Sequence, residues 1–206
     1  MLRVTGLLMV LLIALAAGLL SAQQNQPARL LQQDGLVLFP RPLPVSDFAF
    51  VDEHGATAAR SDLQGRWQLL FFGYTYCPDI CPMTLTHLNR SWQRLTPGQQ
   101  QQLGVAMVSV DPQRDTPESL HLYMDYFNPE FRALTGNQAA LQTLATELHA
   151  VYNRVERPDG QAYLMDHSAN LAILDPQGRY RGYISPPHDP ERLVPLLKLL
   201  LDGAAG

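Results

Sequence analysis

The chain is poor in cysteine and almost devoid of lysine. Cys77 and Cys81 are the only two cysteines in 206 residues, and Lys198 is the single lysine among 15 basic residues. Two cysteines cannot staple a coreless secreted scaffold, so the fold must rest on apolar burial. A hydrophobic content of 46% can supply that core, and one globular domain is the expectation. The arginines are scattered and the formal net charge is −4, which leaves no basic footprint for nucleic acid and no polybasic run for lipid headgroups. A glycine-rich phosphate cradle, a Ser-His-Asp arrangement and carboxylates paired for hydrolysis are missing too. Internal repeats and low-complexity tracts are absent.

What is present begins with an uncharged stretch of seventeen residues, Val4 to Leu20, behind Arg3. Residues 1–22 therefore read as a membrane anchor or signal segment, with a retained single-pass anchor favoured. Positive charge kept inside would place the remainder across the cytoplasmic membrane, in the oxidising periplasm or its extracytoplasmic equivalent. With no cysteine after the apolar run, a lipoprotein anchor is not expected. Residues 23–44, rich in Gln and Pro, read as a linker, and residues 45–206 as the folded domain.

Within that domain the most chemically pointed stretch is Gly73-Tyr74-Thr75-Tyr76-Cys77-Pro78-Asp79-Ile80-Cys81-Pro82-Met83-Thr84. Trp67 to Phe72 reads as a buried strand, and Met83 to Leu95 carries apolar residues at helical spacing. Pro82 lacks an N–H and fits a first helical turn, so both thiols belong at a helix N-terminus, where the unpaired N–H groups favour thiolate. One helical turn between them would set their Cα atoms about 6.2 Å apart, which permits either a disulfide or a shared metal ion. A purely structural disulfide closing so short a loop would contribute only about 2 kcal/mol.

The rest of the chain reads as an α/β pattern. Asp47 to Val51 opens a hairpin, and strands are expected at Gly104–Val110 and Phe131–Thr135. Helices are expected at Pro117–Tyr126, after the N-cap Thr116, and at Asn137–Val155. Ala169–Leu174 and Tyr180–Ile184 form a late hairpin across Asp175-Pro176-Gln177-Gly178, and Pro190–Leu201 closes the domain. This order predicts a thioredoxin-like sandwich, a central mixed sheet flanked by helices with an N-terminal hairpin extension. Two features depart from thioredoxin itself. The cysteine spacing is C-x3-C, and Met165-Asp166-His167-Ser168 stands where that fold carries its cis-proline.

If that loop faces the thiols, Cys77, Cys81 and His167 make a soft three-ligand set. Copper in the cuprous state suits it, and zinc would need a fourth ligand. Asp166 could orient the imidazole, and Asp79 could cap the helix, tune the thiols or meet a partner. Asp111, Arg114 and Asp115 read as an ion-pair and cap network under the site. Met83 reads as core filler, and His54, His87, His121, His149 and His188 as surface or packing residues.

These motifs resemble the Sco/SenC family of thioredoxin-like copper chaperones. Phe72 to Pro82 looks like the family signature, Val108 to Pro117 like its second motif and Asp166-His167-Ser168 like its third, with the likeness running from about Leu43 to Leu201. The resemblance implies a metal-binding assembly factor rather than a turnover enzyme. It would bind Cu(I) or Cu(II) through Cys77, Cys81 and His167 and deliver copper to the CuA centre of cytochrome c oxidase subunit II, served by an upstream copper donor and a thiol reductant. The competing reading is an exported thiol-disulfide oxidoreductase using Cys77 and Cys81 as its redox pair. A peroxiredoxin-like peroxidase is a weaker third, since the C-x3-C spacing disfavours it.

Overall fold

The computed structural model describes residues 31–203. The anchor or signal reading of 1–22 and the linker reading of 23–30 fall outside the described residues. Among the described residues no helix is long and apolar enough to cross a membrane.

The centre of the fold is β5 (Trp67–Gly73), whose residues from Gln68 onward are all buried. A strand apolar on both faces needs a layer on each side. Leu69 and Phe71 join one core cluster and Leu70 and Phe72 the other, as a period of two requires. The first cluster packs α1 (Ile80–Trp92), α3 (Pro117–Phe127) and α5 (Pro190–Leu201) through Leu85, Leu88, Leu120, Met124, Leu193 and Leu197. The second packs α4 (Gln138–Glu147) through Leu141 and Leu144. A five-residue helix, α2 (Pro97–Gln101), precedes β6 (Leu103–Ser109).

β6 pairs with β5 in parallel, from Trp67↔Leu103 to Gly73↔Ser109, and with β7 (Arg132–Thr135) on its other side. Beyond β7 lies the opening hairpin, β3 (Ala49–Asp52) and β4 (Thr57–Ala59). On the opposite side β5 pairs antiparallel with β10 (Leu171–Leu174), which turns back through β11 (Tyr180–Ile184). The sheet is therefore mixed, as expected. The helix starts follow their caps: Thr116 accepts the Ser119 N–H, Asn137 that of Ala140 and Asp189 that of Arg192.

Two expectations are corrected. The linker reading fails over residues 31–43, which form a hairpin of β1 (Leu31–Gln33) and β2 (Leu36–Leu43). β2 extends the sheet by pairing with β11, and the sheet reads β1-β2-β11-β10-β5-β6-β7-β3-β4 among the described residues. Asp34-Gly35, both at positive φ, make the tight turn, a signal that the Gln- and Pro-rich surroundings obscured. Leu36 and Leu38 are 0% and 1% exposed, so this segment is core.

The helix expected to run from Asn137 to Val155 stops at Glu147. His149 adopts φ 54°, and the Ala150 N–H closes back on the Ala145 carbonyl at 2.8 Å. Tyr152–Val155 then becomes β8, pairing antiparallel with β9 (Leu164–His167) in a separate two-stranded sheet. Apolar spacing carried the helical reading too far, because a strand that pairs only locally has no long periodic signal.

Leu36→Ala and Leu38→Ala should each cost about 2–5 kcal/mol in denaturant unfolding, the usual cost of emptying a buried leucine site. A tether would tolerate both changes without loss.

Candidate metal centre

The thiol turn runs off the C-terminal end of β5 into α1. Asp79 occupies the N-cap position of α1, Cys81 is its second residue and Pro82 its third. Asp79 is exposed and its side chain caps no N–H, so the capping role considered for it is not made. The Cys81 N–H instead points at the Cys77 sulfur, 3.4 Å away, so that a sulfur takes the place of the cap oxygen.

The imidazole arrives from the other end of the domain. β9 ends on His167, whose Nε2 lies 3.3 Å from Cys81 Sγ. The ligand atoms of Cys77, Cys81 and His167 all fall within 4.8 Å of one another. His167 Nδ1 sits 3.1 Å from the Ser168 carbonyl, which can only accept, so the ring proton belongs on Nδ1 and the Nε2 lone pair faces the sulfurs. The orienting partner is thus a backbone carbonyl and not Asp166, whose side chain is exposed. Ser168 is held in turn by a two-way exchange with Val151: its N–H donates to the Val151 carbonyl, and its hydroxyl accepts the Val151 N–H, each at 2.9 Å.

Both cysteines are buried and free, and their environments push the two thiols apart. The hydrogen bond from Cys81 is the largest influence on Cys77. Burial opposes it, while the backbone N–H groups of Asp79 and Cys81 add to it, and the Cys77 pKa falls to about 4. Cys81 is pushed far up, first by that same bond and then by burial and the charge on Cys77. The pair therefore holds one proton at neutral pH, on Cys81.

Gly73, the last residue of β5, leaves room for this arrangement. A Cβ there would stand 3.1 Å from Cys81 Sγ, 3.2 Å from Met107 Sδ and 2.9 Å from the Phe71 ring. Beneath the turn, Asp115 is 2% exposed and accepts from the Thr75 hydroxyl and the Ser109 hydroxyl, both at 2.6 Å, and from the Thr75 N–H. Burial is the largest influence on this carboxyl and raises its pKa, against the lowering by those hydrogen bonds.

Arg114 ties three segments together. Its guanidinium pairs with Asp111, donates to the Tyr163 carbonyl at 3.0 Å, and lies 3.7 Å above the Tyr163 ring and 4.8 Å from that of Tyr76. The Tyr163 hydroxyl closes the loop on Asp111 at 2.8 Å. Of the network expected from Asp111, Arg114 and Asp115, the Asp111–Arg114 ion pair is present with Tyr163 as an unexpected member, while the Asp115 carboxylate serves Thr75 and Ser109 instead. Its aromatic ring four residues before His167 was the only sequence signal.

Met83, expected in the core, is 45% exposed on the first turn of α1, and Tyr76 on the thiol turn is 59% exposed. Of the other histidines, His188 is buried against the Ile184 carbonyl and His149 packs on Phe39 and Tyr180, whereas His54 and His121 lie near the surface.

A thioredoxin-like α/β fold with a C-x3-C turn at a helix start and an imidazole brought against it defines a dithiol protein with a soft-metal ligand set. The chain belongs to the SCO1/SenC family, whose sequence model matches residues 40–202. A relative in Stutzerimonas stutzeri is 37% identical over 192 residues, covering 93% of each chain. Among solved structures, the apo Sco1 protein from Thermus thermophilus superposes with a TM-score of 0.70 at 36% identity, covering 80% of this chain and 95% of that one. ScoI of Bradyrhizobium japonicum, solved with copper bound, gives 0.65 at 30% identity over 75% and 97% of the two chains.

Two outcomes test the site as drawn. Alkylation of the reduced chain at Cys77 should stay level from pH 8 to about 5 and halve only near the pKa of about 4; an ordinary thiol would lose about tenfold per unit below pH 8. Gly73→Ala should push the Cys81 sulfur out of place and reduce disulfide formation between the two cysteines at least severalfold, as read by free-thiol titration after mild oxidation.

Proposed function

We propose that this chain is a copper carrier that holds one copper ion between Cys77 Sγ, Cys81 Sγ and His167 Nε2. The observation that carries the reading is the convergence of these three atoms within 4.8 Å, with the imidazole already in the tautomer a metal needs. Two sulfurs and one nitrogen suit the cuprous ion, which accepts low coordination numbers and soft donors. Copper is cargo, and the recipient in this reading is the CuA centre of cytochrome c oxidase subunit II. A donor supplies the ion, and a reductant keeps the thiols reduced. The exported, membrane-tethered placement is supported by the apolar run Val4 to Leu20.

The residues act by holding and releasing protons and ligands. Cys77 offers a ready thiolate, so copper can be captured there first. Cys81 must then give up the proton it holds before its sulfur can bind. His167 approaches from the separate β8–β9 sheet, so its nitrogen can leave without unfolding the thiol turn. With Tyr76 and Met83 open beside the turn, an incoming thiolate of the recipient can enter as one of these ligands departs. Copper is then passed by exchange without being freed into water.

A second reading rests on the asymmetry of the thiols. Cys77 thiolate would attack a partner disulfide, forming a mixed disulfide and releasing one partner thiolate. Cys81, losing its proton, would then attack Cys77 Sγ to close the Cys77–Cys81 disulfide and release the second partner sulfur reduced. The two electrons pass from this chain to the partner.

His167 separates the readings. Anaerobic Cu(I) competition titration should show His167→Ala weakening copper binding at least tenfold while dithiol-disulfide exchange changes less than about threefold; unaltered copper affinity would defeat the carrier reading. Cu(I) binding at pH 7 should release about one proton per ion, that of Cys81, measured in weakly buffered solution. Release of two would contradict the thiolate at Cys77.

A further inference from the structure

Away from the thiols, the fold brings two imidazoles together at the surface. His54 comes from the turn between β3 and β4 and His121 from α3, and their ring centroids are 4.9 Å apart with planes at 57°. Each ring has a carboxylate at one nitrogen. His54 Nε2 is 3.6 Å from Glu53 Oε1, and His121 Nε2 is 3.8 Å from Asp125 Oδ2. Both histidines are open to solvent, with side chains 63% and 41% exposed.

Their backbones are firmly placed. The Asp52 carboxylate accepts the N–H groups of His54 and Ala56 at 3.0 and 2.9 Å and meets Arg132 at 3.3 Å, which fixes the turn. Glu53 is buried, and its other oxygen accepts the Ala133 N–H at 2.9 Å. Next to His121, the wholly buried Leu120 anchors α3 to the core. The fold therefore fixes the two backbone positions from which the rings meet.

The separation matches a known requirement. An ion about 2.0–2.1 Å from one nitrogen of each ring, with an angle between square and tetrahedral, sets the ring centroids about 4.5–5.2 Å apart. Each Nε2 has a carboxylate at ion-pair distance rather than hydrogen-bond distance, 3.6 Å for His54 and 3.8 Å for His121, which leaves Nδ1 of each ring as the nitrogen open to a metal.

We propose that His54 and His121 form a second, solvent-facing site for a divalent first-row cation, with the charges of Glu53 and Asp125 beside the outer nitrogens and water completing the coordination. Imidazole suits Cu(II), Ni(II) and Zn(II), and Cu(II) binds most tightly in that order. The site has nitrogen and water ligands where the thiol centre has sulfur, so it selects the oxidised ion. It stands whether or not Cys77, Cys81 and His167 carry copper.

The test uses the full-length chain carrying Cys77→Ser, Cys81→Ser and His167→Ala, titrated with Cu(II) as its glycine complex and followed by electron paramagnetic resonance. One equivalent should bind with hyperfine splitting from two imidazole nitrogens. Adding His54→Gln or His121→Gln should weaken that binding at least tenfold and remove the two-nitrogen pattern, and Zn(II) should compete less well than an equal concentration of Ni(II). Binding that is the same with and without the two Gln changes, such as binding at the chain's amino terminus, overturns the proposal, as does a signal with no imidazole nitrogen. The thiol centre is read separately: His54→Gln with His121→Gln in the otherwise unaltered chain should leave Cu(I) affinity unchanged, so failure at one centre is not mistaken for failure at the other.

Discussion

The guanidinium of Arg114 holds the two halves of the candidate metal centre to each other. The sulfurs are on the β5–α1 turn and the imidazole is on a small separate sheet, and no backbone pairing joins β9 to the main sheet among the described residues. Arg114 lies between them, paired with Asp111 below, within 4.8 Å of the Tyr76 ring on the thiol side and stacked on Tyr163 on the histidine side. A planar cation can stack on an aromatic face and use its edge for hydrogen bonds at once, which a lysine cannot do. Arg154 covers the other face of Tyr163 at 3.8 Å, so the ring that leads into β9 is held between two cations.

Beneath this clamp a buried carboxylate steadies the thiol turn. Asp115 gathers Thr75 and Ser109, one from the turn and one from the end of β6, and the Val110 N–H reaches back to the Gly73 carbonyl at 2.9 Å. The turn is thereby bound to the neighbouring strand through side chain and backbone alike. Such satisfied buried networks restrict geometry more than they add net stability, because each bond replaces one to water. The gain is positional: two sulfurs are held close enough to share one proton.

That sharing suits one pair to two chemistries. A thiolate at Cys77 and a protonated Cys81 are what capture of a soft ion requires at its first step, and also what attack on a disulfide requires. The imidazole is the part that bare thiol exchange does not use. Its proton is fixed by the Ser168 carbonyl, and Ser168 is fixed by Val151 in the segment that sequence reasoning had placed inside a helix. The error over Asn137–Val155 therefore hid what holds the His167 imidazole in place.

Legibility followed the range of the interactions. The β5 strand, the C-x3-C turn with Pro82, the Thr116 and Asn137 caps and the late hairpin could be read because each depends on residues a few positions apart. Hydrophobic period, cap chemistry and turn residues are local, and together with the three family motifs they determined the fold class and singled out Cys77, Cys81 and His167. Only the tertiary structure decided that residues 31–43 are core and not tether, that a carbonyl and not Asp166 orients His167, that Met83 is open, and that His54 meets His121. Each of these depends on which distant segment arrives alongside, and such contacts leave no periodic trace because they are chosen by packing and strand order once the chain has closed on itself.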